Sequence, residues 1–208
     1  MDNWKKLAEQ MVDVQIIARD VKNEAVLAAM REIPRHIFVP KDCVSNAYID
    51  RALPLGECQT ISQPFIVARM TELLNVEKGM KVLEIGAGSG YQAAVLSYLG
   101  ASVWSIERVK ELAVRARNNL RAVNLKADII WRDGVDGYPD EAPYDRIIVT
   151  AAVEEIAQAW IDQLNENGLL IAPVCVSDMV QRFLLQKKNG EGKWFDYCRF
   201  VPLLHSIQ

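Results

Sequence analysis

Histidine is scarce in this chain: among 208 residues only His36 and His205 occur. That supply excludes a multi-histidine metal centre and leaves little room for a histidine-based catalytic triad. Cys43, Cys58, Cys175 and Cys198 lie far apart with no Cys-x-x-Cys pair. Free thiols in a reducing cytoplasm are therefore expected, rather than disulfides or zinc. No apolar run approaches the roughly 18 residues of a membrane span, and Met1 to Glu9 has no signal-peptide hydrophobic region. An excess of basic charge is missing too. With 24 Lys and Arg against 27 Asp and Glu, the net charge is −3, so no global basic field recruits nucleic acid or an anionic membrane. We expect a cytoplasmic protein, monomeric, without metal and without nucleic-acid or membrane partners.

The residues present suffice for one sizeable core, half of them being hydrophobic and a quarter charged. Leu7 to Ala18 and Asn23 to Arg31 carry apolar positions at helical spacing, and Pro34 and Pro40 interrupt the chain beyond them. Ile37-Phe38-Val39 reads as a short docking strand, and Ser45 to Cys58 as irregular. A helix is expected to start near Ser62, which suits an N-cap because Pro64 then falls in the first turn. From Lys81 the pattern alternates. Strands are expected at 81–85, 102–107, 127–131, 146–150 and 169–174, and helices at 91–99, 109–123 and 154–164, with Gly100 and Asn124 as stops. Val180 to Lys187 and Lys193 to Val201 flank Asn189-Gly190-Glu191-Gly192, a hairpin signal. The pattern predicts an α/β fold: a doubly wound, mostly parallel sheet with an antiparallel C-terminal edge hairpin. A helical subdomain over 1–76 would pack on an α/β domain over 77–208.

The most informative stretch is Lys-Val-Leu-Glu-Ile-Gly-Ala-Gly-Ser-Gly, residues 81–90, answered by Glu107. Glycines at 86, 88 and 90 let a ligand approach bare backbone after a buried strand. Glu107 closes the next apolar run, where a strand-end carboxylate can accept from a ribose diol. A dinucleotide fingerprint would place its third glycine at position 91, which is Tyr91. Glu84, two residues before Gly86, opposes a pyrophosphate but suits the sulfonium and ammonium of S-adenosylmethionine. The spacing therefore favours that cofactor over a nicotinamide; a ligand-free strand–helix turn remains the plain alternative for the glycines alone. Asp133-Gly134 ends the third strand, where Asp133 could accept from an adenine amino group and a backbone N–H could donate to the ring; a simple Asp-Gly turn is the alternative. Gln59-Thr60-Ile61-Ser62-Gln63-Pro64 is unusually rich in small polar side chains ahead of an apolar helix. Thr60, Ser62 and Gln63 are candidates for hydrogen bonding over the cofactor mouth.

Together, Ile33-Pro34-Arg35-His36-Ile37-Phe38-Val39-Pro40, Ala47-Tyr48, Leu53-Pro54-Leu55-Gly56, the Gln59 to Pro64 segment, the Leu83 to Gln92 loop and Val201-Pro202-Leu203 resemble the protein-L-isoaspartate O-methyltransferase family over nearly the whole chain. The Thr-Ile-Ser-Gln-Pro element is far more specific than the glycine loop. The resemblance implies a Rossmann-like, class I methyltransferase that transfers the methyl of S-adenosyl-L-methionine to the α-carboxylate of isoaspartyl residues in damaged proteins. The ester cyclises to a succinimide, a route back to aspartate. Ser62 matches the family's active-site serine. Gln59, Thr60, Ile61, Ser62, Glu84, Glu107, Asp133 and Gly134 match its cofactor contacts, beside Gly86 and Gly88 of the loop.

That chemistry suits a histidine-poor chain, because an ionised carboxylate attacks a sulfonium methyl without a general base. Ser62 would orient the acceptor; without a base partner it is not cast as a nucleophile. Three positions depart from the family pattern: Cys58 and Cys175 stand where glycine is usual, and the tail 204–208 lacks the usual glycine-containing ending. A positive φ at Cys58 would cost about 1 kcal/mol and reshape the acceptor lip. An inert thiol is expected there rather than a reactive one. The alternatives are a related methyltransferase acting on another carboxylate or a small molecule, and a non-catalytic S-adenosylmethionine-binding protein. His36 is read as a packing or surface residue.

Overall fold

The computed structural model describes residues 3–207; Met1, Asp2 and Gln208, at the ends of the two expected units, lie outside the described residues. Helix α1 (Trp4–Met11) runs on through a π turn (Val12–Ile16) and a 3₁₀ turn (Ile17–Arg19). Asp20, at φ 64°, ends the run in the left-handed region. Helix α2 (Glu24–Glu32) is capped by Asn23, whose side chain accepts from the N–H groups of Ala25 and Val26. In the segment read as a docking strand, Ile37 and Phe38 belong instead to a 3₁₀ turn, Arg35–Phe38, and Val39 follows it in extended backbone. Phe38 is buried there against the Tyr91 ring, with centroids 5.2 Å apart. One buried anchor needs no strand partner. The supposedly irregular stretch contains β1 (Leu53–Gly56), which pairs antiparallel with β2 (Gln59–Ile61).

Helix α3 (Pro64–Leu74) starts with Pro64 as its first residue, so its N-cap is Gln63, not Ser62, and no side chain caps it. A proline at N1 puts the cap one residue before it. The α/β alternation comes next: β3 (Lys81–Ile85), α4 (Tyr91–Tyr98), β4 (Ser102–Glu107), α5 (Lys110–Ala122), β5 (Asp128–Trp131) and β6 (Tyr144–Val149). Only Gln158–Asp162 of the expected helix 154–164 is helical (α6): Ala157 is still extended at its N-terminal side, and Leu164 already opens the long strand β7 (Leu164–Ser177). The hairpin β8 (Val180–Lys187) and β9 (Gly192–Cys198) turns at Gly190.

The seven-stranded sheet has the order β5-β4-β3-β6-β7-β8-β9. β5, β4, β3, β6 and β7 pair in parallel, and β8 and β9 add antiparallel. The doubly wound, mostly parallel sheet with an antiparallel edge is therefore as expected. Strand β3 lies at the point where the order reverses, between β4 and β6, and ligands bind outside the carboxyl ends of strands at such a point. Its side chains alternate. Val82 joins the larger core with Met11, Met30, Met70, Leu96 and Leu112, whereas Leu83 and Ile85 join a second core with Ile147, Trp160 and Leu170. Glu84 shares the face of Val82, and so it emerges among helical side chains rather than in solvent.

Candidate active site

The turn after β3 is held by β4: the N–H groups of Gly86 and Ala87 both donate to the Ile106 carbonyl at 2.9 Å. Gly86 has φ 101°, and a Cβ there would stand 2.5 Å from Thr150 Oγ1. Thr150 in turn donates toward the carbonyls of Ile85 (2.9 Å) and Gly86 (2.6 Å). This residue at the end of β6 thus locks the bare-backbone turn. Glu107 is buried at the end of β4 and accepts from Gly88 N–H at 2.8 Å and Val109 N–H at 2.9 Å. Burial pushes its carboxyl up from the usual value, and those backbone donors pull it back.

Glu84 is fully buried. One oxygen accepts from Ser105 Oγ at 2.5 Å, and the other has no hydrogen-bond partner. Burial raises its pKa to about 8, with the neighbouring Glu107 charge adding to the rise and the Ser105 bond opposing it.

Three spaces meet around these residues. The first, about 60 Å³, is lined by Gln59, Gly86, Gly88, Ile106, Glu107, Gly134 and the tail residues Pro202 to Leu204, among others. The second, about 30 Å³, is lined by Ile61, Ser62, Met70, Glu84, Gly86, Tyr91, Gln92 and their neighbours. The third is an open cleft of about 520 Å³ bounded by Arg51, Thr60, Ser62, Gln63, Phe65, Tyr197 and Arg199, among others. Thr150 borders all three, and Ser62 stands on the wall between the second space and the open cleft. The period-two alternation of β2 explains the split of its residues: Gln59 and Ile61 face the two smaller spaces and Thr60 the cleft.

The structure thus brings Gln59, Ile61, Ser62, Glu84, Gly86, Gly88, Glu107 and Gly134 around two adjoining small spaces that share Gly86 and Thr150. Thr60 and Gln63 turn to the open side, where the Gln63 amide donates to Asp50 Oδ1 at 2.7 Å. Asp133 stands apart from the lining. Its Oδ1 accepts from Val135 N–H at 3.0 Å and its Oδ2 from Ser206 N–H at 2.5 Å. His36 packs between Trp4 and Tyr48, with Nδ1 2.8 Å from the Tyr48 hydroxyl. Thr150 borders this region and Ser105 and Arg35 support it from behind, none of them singled out by sequence reasoning as a site residue; a threonine closing an apolar strand beside the glycine turn was the available signal for the first, and for Arg35 its place in the Ile33 to Pro40 segment.

The donor set fits a cationic nucleoside. Beside Gly86, where no Cβ fits, the unpartnered buried oxygen of Glu84 gives a carboxyl that a cation would ionise and bare backbone to approach, without a cluster of N–H groups for phosphate. Among the described residues no group of three His, Cys, Asp or Glu could hold a metal ion.

A family model described as Protein-L-isoaspartate(D-aspartate) O-methyltransferase (PCMT) matches residues 5–208. A protein of Methanoculleus marisnigri named Protein-L-isoaspartate O-methyltransferase is 53% identical over 207 residues, covering 98% of this chain and 94% of that one. Among solved structures, one named protein-L-isoaspartate O-methyltransferase superposes with a TM-score of 0.85 at 31% identity, over 98% of this chain and 66% of that one. A second shares the fold with a TM-score of 0.83 at 24% identity, over 97% and 98%; it is described as a putative protein-L-isoaspartate O-methyltransferase from Plasmodium falciparum in complex with S-adenosyl-L-homocysteine.

Proposed function

The chain belongs to the protein-L-isoaspartate(D-aspartate) O-methyltransferase family, and from that premise we propose that it methylates the α-carboxylate of L-isoaspartyl residues in damaged proteins. S-adenosyl-L-methionine, when bound, supplies a methyl group on a cationic sulfur. Gln59, Glu107 and Gly134 would hold the nucleoside end, joined by Asp133 at the adenine edge, and Glu84 and Gly86 the amino-acid end, with Gly88, Thr60 and Ile61 as the remaining contacts. The observation that carries the reading is the place of Ser62, on the wall shared by the Glu84 space and the open cleft. An acceptor carboxylate arriving from the cleft meets the Ser62 hydroxyl, which donates to it and aims its free oxygen at the methyl carbon. The carboxylate is already ionised, so no residue needs to take a proton. Ser62 and the enclosing walls of Ile61, Ile66 and Met70 contribute alignment and exclusion of water.

The open cleft suits a polypeptide better than a small molecule, since its volume of about 520 Å³ is bounded by Tyr197 and Arg199 as well as Ser62. We assign residues 1–76 to a helical subdomain that carries the substrate and active-site segment, and 77–208 to the Rossmann-like domain that supplies most of the S-adenosylmethionine site. No helix is long and apolar enough to cross a membrane among the described residues. Four free cysteines, Cys58 among them exposed, fit a reducing cytoplasm, where we place the protein as a monomer acting without nucleic acid. Incubation with methyl-labelled S-adenosylmethionine and matched isoaspartyl and aspartyl peptides tests the reaction. Base-labile label on the isoaspartyl peptide alone is the expected result; label on neither, despite S-adenosylhomocysteine binding, would overturn it.

A further inference from the structure

Arg35 is completely buried, yet among the described residues it forms no ion pair with any carboxylate. Its Nε donates to the Ala47 carbonyl at 2.8 Å and its Nη2 to the Ser62 carbonyl at 2.7 Å. The guanidinium carbon sits 4.7 Å from the centroid of the Tyr91 ring, and Nη1 is buried without a partner. Burial lowers its pKa from the ordinary value, while Tyr91 opposes that effect. A lone buried cation is a poor device for stability, because an apolar side chain of similar volume avoids the desolvation. The fork geometry suggests what it does instead. One planar group fixes three separate pieces: the turn at Ala47, the backbone of Ser62, and the first residue of the helix after the glycine loop. The neighbouring hairpin is held in a similar way, by Arg115 Nη1 donating to the Leu55 carbonyl at 2.6 Å.

We infer that Arg35 is a positioning residue for methyl transfer, setting the direction of the Ser62 hydroxyl by holding the Ser62 carbonyl from a guanidinium seated on the Tyr91 ring. Arg35 does not line the enclosed spaces or the cleft, so it acts through Ser62 and not on the acceptor. The inference rests on the place of Ser62 in the proposed reaction. Lysine keeps the charge but cannot reach two carbonyls and stack on a ring at once.

The test is a double-mutant cycle of Arg35→Lys and Ser62→Ala, read with an isoaspartyl peptide and with S-adenosylhomocysteine calorimetry. In the Ser62 background, Arg35→Lys should lower kcat about tenfold and leave cofactor affinity within about twofold. In the Ser62→Ala background the same substitution should leave kcat nearly unchanged, because no hydroxyl remains to be misdirected. Equal losses in both backgrounds, or a fall in cofactor affinity parallel to kcat, would overturn the inference. Wild-type protein inactive on the isoaspartyl peptide would sink the proposed reaction itself, a different result. Should Arg35→Lys not fold, Arg35→Gln retains one N–H for the Ser62 carbonyl and carries the same cycle.

Discussion

Ser105 Oγ donates to one oxygen of Glu84 at 2.5 Å, across the parallel register that pairs these two residues of β4 and β3, and leaves the other oxygen bare. The pairing makes Glu84 a carboxyl that is easier to keep neutral than charged. Its pKa in the folded protein is raised to about 8, against 4.5 for the exposed group. Between those values the folded state holds a proton that the unfolded state has released. By linkage, stability attributable to Glu84 is fully present below about pH 4.5 and is lost as pH rises toward 8. The loss has a slope of at most about 1.4 kcal/mol per pH unit. Urea unfolding without cofactor, between pH 5 and 8, should show this decline, and Glu84→Gln should flatten it. A parallel decline in the variant would assign the proton elsewhere.

A cationic sulfonium favours the ionised form of the same group. S-adenosylmethionine affinity should therefore rise between pH 6 and 8 more steeply than that of S-adenosylhomocysteine, which lacks the sulfonium charge. Calorimetry in buffers of different ionisation enthalpy should record proton release on binding. Equal pH dependence for the two ligands would remove Glu84 as the responding group.

Glu57 and Cys58 form the two-residue loop between β1 and β2, with φ 51° and 55°. Both values are those of a type I′ hairpin turn, whose second position favours glycine. Cys58→Gly should therefore stabilise the protein by about 0.5–1 kcal/mol, the relief of a left-handed Cβ exceeding the added freedom of the unfolded chain. The side chain is exposed and lies outside the open cleft, so acceptor KM should hold constant. A lower urea midpoint would contradict the strain argument.

The parts of this molecule legible in its sequence are those written locally. The glycine turn, the β3 strand and the stops at Gly100 and Asn124 arise from spacing and backbone preference, and Gly100 and Asn124 do adopt positive φ. The 154–164 segment looked helical because Ile156, Ala157, Trp160 and Ile161 keep a helical period. The pairing of Tyr144 with Leu164 instead brings β7 in early, and only Gln158–Asp162 winds. Arg35 and Thr150 were illegible for another reason. Arg35 is defined by carbonyls 12 and 27 positions away and Thr150 by ones 64 and 65 positions away. No local pattern encodes such partners, whereas Glu107 was readable because the glycine loop announced a need for a carboxylate one strand further on.

Glu107 serves the loop as well as any ligand, since both of its oxygens already accept backbone N–H groups. Glu107→Ala leaves the Gly88 and Val109 donors without that acceptor, a cost of about 1–3 kcal/mol in stability. Affinity for S-adenosylhomocysteine should drop by at least about tenfold, because the ribose loses its acceptor and Gly88 loses its tether. Calorimetry together with urea unfolding separates the two effects. Full affinity in a destabilised variant would confine Glu107 to the loop.

The tail, whose residues Pro202 to Leu204 line the space beside Glu107 and Gly134, is tied at two points: Arg108 Nε donates to the Ser206 carbonyl at 2.8 Å, and Ser206 N–H donates to Asp133 Oδ2. Upstream it is pinned by Ala152 N–H to the Val201 carbonyl and Leu203 N–H to the Ala152 carbonyl. An adenine amino group directed at Asp133 has to share an oxygen with Val135 N–H or with Ser206 N–H. Deleting residues 204–208 removes the two outer ties and keeps the inner ones. Two exposed hydrogen bonds at about 0.5–1.5 kcal/mol each correspond to roughly tenfold faster release of S-adenosylhomocysteine. Association should quicken as well, so that affinity changes less than either rate. Stopped-flow fluorescence is suited to the measurement, because Trp131 Nε1 donates to the Arg108 carbonyl beside the tail. Unchanged rates in the truncated chain would show that the nucleoside enters without displacing the tail, and would leave the Asp133 carboxylate to Ser206 and Val135 alone.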